Sequence, residues 1–516
     1  MKKILSLLLP VAILLNSCGD FLTEYSQNLS FVKSATDLDE LLIGQAYISG
    51  SNPMNPFGLF HLQAMDDDVT SAIVEPLKDG GLSGGSMTYQ AERLHAFYKF
   101  QAYPFLDKMS AKNMGTAHGW DVLYEKILAV NTIIYEIDKF KEDEKYNRIK
   151  GEAYFLRAFY YFYLTNSWGL PYSEKTADTD LGVPLKLDAV VVDKGYERNT
   201  VAECYDQMVK DLKVAIENLE NSKLTTKLRA GYAAANAMLA KVYLHMGKYE
   251  EANPLLDVVM KDPMFYMCNM NGVTAYTWQK QSKEATSSEC IFSGIYAIYG
   301  FQDNDYWSVH PSQELLDLYD ITNDLRYKGQ GLSSKYDTGF FDYQASAKLG
   351  PTQGLLHYNS YYASKNNGFG LSYPEVLLMK AEVSAMLGNS QDAYDALEIL
   401  LKARLKVLPS FSETGEDLVK LVRTERRKEL CFRYNRWFDL RRYAVAPLYP
   451  EEKKIEHIQR EWDYNNDVPM VVGKWILNEF SSGDGGWVLP FPNHALYSNH
   501  GKLVDNERPD RELLPI

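Results

Sequence analysis

Between Ala153 and Leu164 the chain offers one side chain that is neither apolar nor aromatic, Arg157. A helix that is apolar on every side is buried by other elements, not laid half-exposed on a surface. The run is too short to cross a bilayer and carries a guanidinium at its middle, so a membrane span is a poor reading. Asn166, Gly169 and Pro171 mark its end, as helix C-termini are marked. Gly151–Tyr172 therefore predicts a core helix, and a core helix needs other helices around it.

The flanking sequence supplies them. Asp37–Ala46 predicts a first helix, with Thr36 as its candidate N-cap. Trp120–Phe140 places Trp120, Leu123, Tyr124, Ile127, Leu128, Ile134 and Tyr135 at helical spacing, with Asn131 as a polar exception on that face. Thr200–Leu219 is amphipathic, and Leu228–Met246 is rich in alanine. Ala240, Val242, Gly247 and Ala252 recur as Ala381, Val383, Gly388 and Ala393, 141 residues later. Each copy reads as helix, glycine turn, helix. The pattern resembles a tetratricopeptide repeat, in which small residues lie where two helices touch. Thr424–Tyr443 predicts a strongly charged helix. Glu429 with Arg433, and Arg436 with Asp439, have the spacing of ion pairs on a helix surface.

Other stretches do not read as helix. Ser51–Gln90 is rich in Gly, Pro, Ser and Asp and predicts loop. Lys261–Tyr373, between the two repeat copies, combines turn residues, short alternating runs such as Cys290–Tyr299, and clustered aromatics. A loop-rich insertion of that length in a helical protein is usually functional. The tail Ser482–Ile516 predicts irregular structure, with four prolines.

The N-terminus begins with Lys2 and Lys3, followed by the apolar run Ile4–Leu15: an export signal and not part of the fold. Leu15-Asn16-Ser17-Cys18 has the form of a bacterial lipobox, predicting cleavage before Cys18 and acylation of that cysteine; Gly19–Ser34 then reads as a tether. Removing residues 1–17 takes two lysines from a chain of net charge −14. Nothing in so acidic a chain, without a basic run, suggests nucleic-acid binding. Aromatics are 13% of the residues, including 37 tyrosines, which suits a protein that contacts ligands or partners through amphipathic rings.

Catalytic and metal motifs find little support. Cys204, Cys268, Cys290 and Cys431 form no CxxC pair; Cys268 with Cys290 has loop spacing, but buried thiols are the expectation. The nine histidines show no HExxH arrangement. Gly81-Leu82-Ser83-Gly84-Gly85 fits G-x-S-x-G without the strand and helix a nucleophile elbow requires. Asp66-Asp67-Asp68 lacks the alternating spacing of a calcium loop. A solvated or helix-capping acidic turn is its expected role. No metal and no cofactor is predicted. A glycosidase would need two carboxylates paired in space, which sequence does not display.

Glu425-Arg426-Arg427-Lys428-Glu429-Leu430-Cys431-Phe432-Arg433-Tyr434-Asn435-Arg436-Trp437-Phe438-Asp439-Leu440-Arg441-Arg442 resembles the signature of the SusD/RagB family of Bacteroidetes outer-membrane lipoproteins. It departs at Arg433 and Tyr434, where an acidic residue and glycine are usual. The lipobox, Trp120 to Asn131, Arg157 to Pro171, Tyr373 to Glu382, Leu489 to Pro492 and Asp505-Asn506 agree in order, across nearly the whole chain. The resemblance implies a mainly α fold: a tetratricopeptide-like helical-repeat scaffold of four helix pairs with long loop-rich insertions. It also implies a SusC-like TonB-dependent transporter as partner, and ligands that are mostly glycans and sometimes peptides.

The expected organisation is a signal peptide over 1–17, anchor and tether over 18–35, and one domain over 36–516. Its helical scaffold would occupy 36–50, 118–260 and 373–445. The ligand half would occupy 51–117 and 261–372, with an irregular part over 446–516. Pyranose rings stack their C–H faces on flat side chains while amides and charges bond their hydroxyls. Trp278, Tyr306 and Trp307 are candidate platforms, with Asn304 beside the last two. Tyr98 and Tyr103 add rings from an early loop region the family also uses. The expected function is capture of a glycan at the cell surface, without cleavage, and delivery to the transporter. A peptide ligand on the same scaffold is the first alternative, a surface glycosidase the second.

Overall fold

A computed structural model describes residues 32–47, 60–71, 74–75, 96–104, 119–192, 194–272, 286–293, 309–327, 341–343, 356–358, 370–463, 465 and 468–516. Twelve α-helices lie among them: α1 Ala35–Leu41, α2 Gly119–Ile137, α3 Tyr146–Trp168, α4 Val201–Leu219, α5 Tyr232–His245, α6 Tyr249–Met260, α7 Gln313–Leu316, α8 Tyr373–Met386, α9 Ser390–Lys402, α10 Gly415–Leu430, α11 Arg436–Ala444 and α12 Asn493–Ser498. The first helix continues as a π-helical turn over Leu42–Ala46. Its cap is Ser34, not Thr36: the Ser34 hydroxyl accepts from the Asp37 amide while the Asp37 carboxylate accepts from the Ser34 amide. This reciprocal pairing satisfies two amides that the helix start would leave open.

Helix α3 is the core. From Phe155 to Trp168 every side chain is buried, and α2, α4 and α5 pack against it. Arg157 makes a two-pronged pair with Asp211 of α4, 2.8 and 2.7 Å, and donates to the Asn131 side chain of α2 at 3.1 Å. The two polar exceptions of the apolar faces thus satisfy each other, as buried polar groups must. Gly169 ends the helix, its amide returning to the Thr165 carbonyl. At the other end Glu152 is buried and paired with Arg148 and Arg229. The same two arginines hold Asp39 of α1. Burial acts to raise the Asp39 carboxyl, but the two guanidinium groups outweigh it and hold it at about 2.

The repeat copies are two helix hairpins, α5–α6 and α8–α9, which pack on each other through α6 and α8. Gly247 and Gly388 have φ of +71° and +77°. In both copies the glycine amide and the next amide fold back on the helix end: Lys248 to the Tyr243 carbonyl, Asn389 to the Ser384 carbonyl. The left-handed glycine closes a Schellman cap, so the shared sequence pattern is a shared turn.

Strands are short and lie around this scaffold: β1 Val69–Ser71 pairs with β4 Val309–Pro311, β3 Cys290–Phe292 with β7 Leu371–Ser372, and β5 Phe341–Tyr343 with β6 Leu356–Tyr358, all antiparallel. The stretch 446–516, expected to be irregular, contains the longest strands among the described residues. β8 Ile455–Asp463 and β9 Val468–Leu477 form a hairpin, extended by β2 Val74–Glu75 and β10 Leu514–Pro515 in the order β10-β9-β8-β2. Ile455, Ile458 and Trp462 are spaced three and four apart rather than two, and the inward positions of β8 include His457 and Gln459; the turn-forming Asn465-Asn466-Asp467 is the signal the sequence offers for the hairpin. The described cysteines are buried thiols.

The charged segment is two helices, not one. Between α10 and α11 the chain turns through Phe432 and Tyr434, with φ of +58° and +61°. Neither expected surface pair forms as read. Glu429 is fully buried and bonds Arg404 and Arg326. Arg436 reaches Asp67, and Asp439 sits between Arg426 and Arg442.

Candidate ligand-binding site

The early aromatic segment is seated on the β8–β9 hairpin. Phe97–Phe100 forms one helical turn, closed by the Phe100 amide on the Phe97 carbonyl at 2.9 Å and by Phe100 in a left-handed conformation. His457 of β8 lies between the Tyr98 and Phe100 rings, with centroids 4.1 and 4.7 Å away. Its Nδ1 contacts the Tyr98 carbonyl at 2.7 Å and its Nε2 the Asp66 carbonyl at 2.9 Å. Burial lowers the imidazole pKa, against the opposing pull of these two carbonyls. The Tyr98 hydroxyl donates to the Ile458 carbonyl at 3.0 Å. From the tail, Arg508 donates to the Gln101 carbonyl at 3.2 Å.

This geometry separates the two early candidates. Tyr98 is buried with its hydroxyl committed to the hairpin, so its ring holds the segment down and is not a ligand platform. Tyr103, three residues after the left-handed Phe100, is 57% exposed. Trp278, Asn304, Tyr306 and Trp307 lie outside the described residues, as do Cys18 and Gly81–Gly85. The hairpin contributes a ring not anticipated from sequence: Trp475, opposite His457 in the β8–β9 register and half-buried. Its indole donates to the Gln459 side chain at 3.0 Å, and the Lys99 ammonium stands 5.2 Å from its ring centre. The run 468–477 does not alternate apolar with polar residues, so the sequence carries no pattern that marks this ring.

Beneath the segment lies a buried charge network. Asp66–Asp68 is buried, not a solvated turn. Arg436 grips Asp67 with two bonds of 2.7 and 2.8 Å; Arg427 bonds Asp68 at 2.7 Å and Glu314 at 2.6 Å. Burial would raise the Asp67 carboxyl, but Arg436 and Arg427 hold it well below its usual value. Asp66 has no such partner, and burial beside Asp68 and Asp67 pushes its carboxyl well up. The family-like signature therefore clamps the turn that precedes β1, and β1 in turn pairs with β4 of the insertion. It thereby ties the β1–β4 pair to the helical scaffold. No group of three or more His, Cys, Asp or Glu side chains placed to hold a metal occurs among the described residues. No helix among them is long and apolar enough to cross a membrane.

Comparison with known proteins agrees with this architecture. Residues 62–244 match a family model described as starch-binding and associating with the outer membrane; residues 356–508 match the SusD family model. The chain belongs to the SusD/RagB family. It is 24% identical over 445 residues to SusD-like protein P2 of Formosa agariphila, covering 75% of this chain and 79% of that protein. A SusD superfamily protein from Bacteroides thetaiotaomicron superposes with a TM-score of 0.64 at 19% identity, covering 92% of this chain and all of that one. A SusD-like carbohydrate binding protein from Bacteroides vulgatus gives a TM-score of 0.64 at 16% identity, over 91% and 97% of the two chains. The tetratricopeptide-like scaffold is thus the SusD fold. In SusD/RagB terms, Tyr434 stands in a left-handed turn at the place of the family's usual glycine.

Proposed function

We propose that this protein captures a glycan at the outer face of the outer membrane and passes it, uncleaved, to a SusC-like TonB-dependent transporter. Membership of the SusD/RagB family carries the reading, supported by the relatives described as starch-binding and carbohydrate-binding. Cys18 is the proposed lipid attachment. The ligand surface is proposed to combine Tyr103 and the half-buried Trp475 with Trp278, Asn304, Tyr306 and Trp307 of the insertion. Flat rings with an amide and an ammonium nearby suit a sugar, whose C–H faces stack while its hydroxyls take hydrogen bonds. Affinity electrophoresis of the soluble chain from Asp20 against a polysaccharide panel tests the reading. Retardation by one polymer is the expected result, and Trp278→Ala or Trp307→Ala should weaken it at least tenfold. Binding to a peptide mixture and to no glycan would overturn it in favour of a peptide ligand. Release of shorter oligosaccharides by the purified protein would overturn the assignment as a binder without catalysis.

A further inference from the structure

His457 stands between two acceptors. Its Nδ1 and Nε2 lie 2.7 and 2.9 Å from the carbonyl oxygens of Tyr98 and Asp66. A carbonyl oxygen only accepts, and a neutral imidazole carries one N–H. In the neutral ring one nitrogen therefore turns a lone pair on a carbonyl at hydrogen-bond distance. Both contacts are hydrogen bonds only when the ring is an imidazolium and donates from each nitrogen. The surroundings suit that cation. The ring stacks against Tyr98 and Phe100, with planes 8° and 19° from its own, and aromatic faces attract positive charge. Burial opposes the charge and Asp67 favours it, with burial the larger, so the second proton is gained below the ordinary histidine range.

The two carbonyls belong to different parts of the molecule. Tyr98 is in the segment that ends in the exposed Tyr103, and Asp66 is in the turn clamped by Arg436 and Arg427. The ring thus stitches the segment to the scaffold. The segment needs holding, because Phe100 has φ of +53°, a conformation that a bulky L residue keeps only where its surroundings impose it. We propose that His457 is a positioning residue of the ligand surface: its imidazolium donates to both carbonyls and fixes Phe97–Tyr103, and loss of a proton frees one of the two seams. The inference rests on the proposed place of Tyr103 in that surface. Other links outlast the proton, namely the Tyr98 hydroxyl on the Ile458 carbonyl and Arg508 on the Gln101 carbonyl, so the neutral segment loosens without leaving its seat. The charged groups on the elements packed against the ring are few. The turn carries Asp66, Asp67 and Asp68, the last two held by Arg427, and Asp67 also by Arg436 and Lys453. The segment carries Lys99 over Trp475, and β9 carries Lys474 paired with Glu456 of β8. Asp66 is the carboxyl among them that burial pushes well up, so the test separates it from His457.

The test follows hydrogen exchange of the Phe100 and Gln101 amides, which bond the Phe97 and Ala96 carbonyls, in the mature chain from Asp20. Rates are referred to the unstructured rate at each pH. Protection should rise several-fold as pH falls from 7.5 to 4.5. His457→Gln keeps a donor but does not titrate, and its protection should stay flat. Asp66→Asn keeps the Asp66 carbonyl and removes the carboxyl, and the rise should persist. A flat profile in the unaltered protein, a rise that survives in H457Q, or a rise that D66N abolishes each overturns the proposal. Should H457Q fail to fold, the unaltered protein and D66N still decide. The second measurement is affinity for an uncharged polymer retained in the polysaccharide screen. Binding several-fold tighter at pH 4.5 than at pH 7.5, with no such difference in H457Q, is expected. Equal affinity beside a rising protection overturns the positioning role. Retention of no polymer at either pH breaks the glycan reading, while the exchange profile still decides for or against the clamp.

Discussion

Helix α3 and the α10–α11 segment are equally buried and have opposite chemistry. From Ala153 to Leu164 the first is aromatic and aliphatic but for Arg157; the second carries Arg423, Glu425, Arg426, Arg427, Lys428, Glu429, Arg436, Asp439, Arg441 and Arg442, all buried. Each solves the same problem in its own way. Apolar surface is removed from water at a gain roughly proportional to area. Charge is removed at a cost that only partners can offset. Within the apolar run of α3 the one charge, Arg157, needs one carboxylate, Asp211, with Asn131 beside it. Around α10 and α11 the partners come from across the chain: Asp67 and Asp68 before β1, Glu289 beside β3, Asp324 and Arg326 after α7, Glu375 and Glu382 of α8, and Arg404 after α9. The aromatic helix provides bulk. The charged segment decides which loop is held against which helix, because each arginine accepts few geometries.

The sharpest break in this comparison is Glu429→Ala. Glu429 lies between Arg326 and Arg404, and removing it leaves two fully buried guanidinium groups short of a counter-charge. A loss of about 3–5 kcal/mol is expected, the usual result of stripping one partner from a buried pair. Chemical denaturation reads it. A loss under about 1 kcal/mol would mean that the network is solvated and that the two regions are not alike in burial. In α3, Phe155→Ala opens a cavity beside Phe159 and Phe292, whose ring centres lie 5.7 and 4.9 Å from its own. About 3–4 kcal/mol is expected there. The two variants differ in salt response, since added salt should narrow the deficit of the ionic one and leave that of Phe155→Ala unchanged.

How much of this was legible follows from the same contrast. The burial of α3, its end at Gly169 and the paired glycine turns at Gly247 and Gly388 were readable, because apolar periodicity and left-handed turns are local signals. The burial of Glu429, Arg436 and Asp66–Asp68 was not. A charged helix with pairs at i,i+3 and i,i+4 reads as a solvated surface, and its true partners lie up to hundreds of residues away. Asp67 and Arg436 illustrate the distance. The hairpin β8–β9 was not legible because Ile455–Trp462 lacks apolar alternation: two of its buried positions are His457 and Gln459. In the site, Tyr98 and Tyr103 were indistinguishable as tyrosines in one segment; only the seat supplied by His457 and Ile458 separates them.

Acid titration sharpens the contrast further: around α3 it reaches Asp39, which burial would raise but Arg148 and Arg229 hold at about 2, and around α10 and α11 it reaches several carboxyls. Burial would raise Asp324, yet Arg326 and Lys428 hold its carboxyl at about 2. Glu429 and Asp439 are likewise held low by their arginines despite burial. A carboxyl whose folded value is depressed gives stability that is complete above its unfolded value and lost as pH falls through the folded one. The loss should run from about pH 4 down to pH 2, about 2–3 kcal/mol for Asp324 alone. Histidines act earlier. His245 is lowered by burial and by Arg442 and Lys241. The unfolded chain then takes its proton first below about pH 6.5, so this residue withdraws about 1.4 kcal/mol of stability per unit as pH falls. Carboxyls raised by burial, such as Asp66, act in the opposite sense, so the readout is the difference in slope between His245→Leu and the unaltered protein from pH 7.5 to pH 5. An unchanged slope would place the proton uptake elsewhere.

The smallest effect addresses the turn that divides the charged segment. Tyr434 has φ of +61° and is half-buried against the core. An L residue in that conformation carries about 1–2 kcal/mol of strain that glycine does not. Removing a half-buried ring costs about 1–1.5 kcal/mol, half the value for full burial. Tyr434→Ala loses the ring and keeps the strain, so it should destabilise by about that amount. Tyr434→Gly loses the ring and relieves the strain, offset in part by the greater freedom of glycine in the unfolded chain. The glycine variant should therefore be nearer to neutral, above the alanine variant by about 0.5–1 kcal/mol. In an ordinary right-handed or extended position the order would be reversed, because glycine there costs more than alanine. The sign of the difference thus reports the backbone alone, with ring loss common to both variants. Alanine more stable than glycine would show that Tyr434 is not left-handed in solution, and that α10 and α11 are joined by another turn.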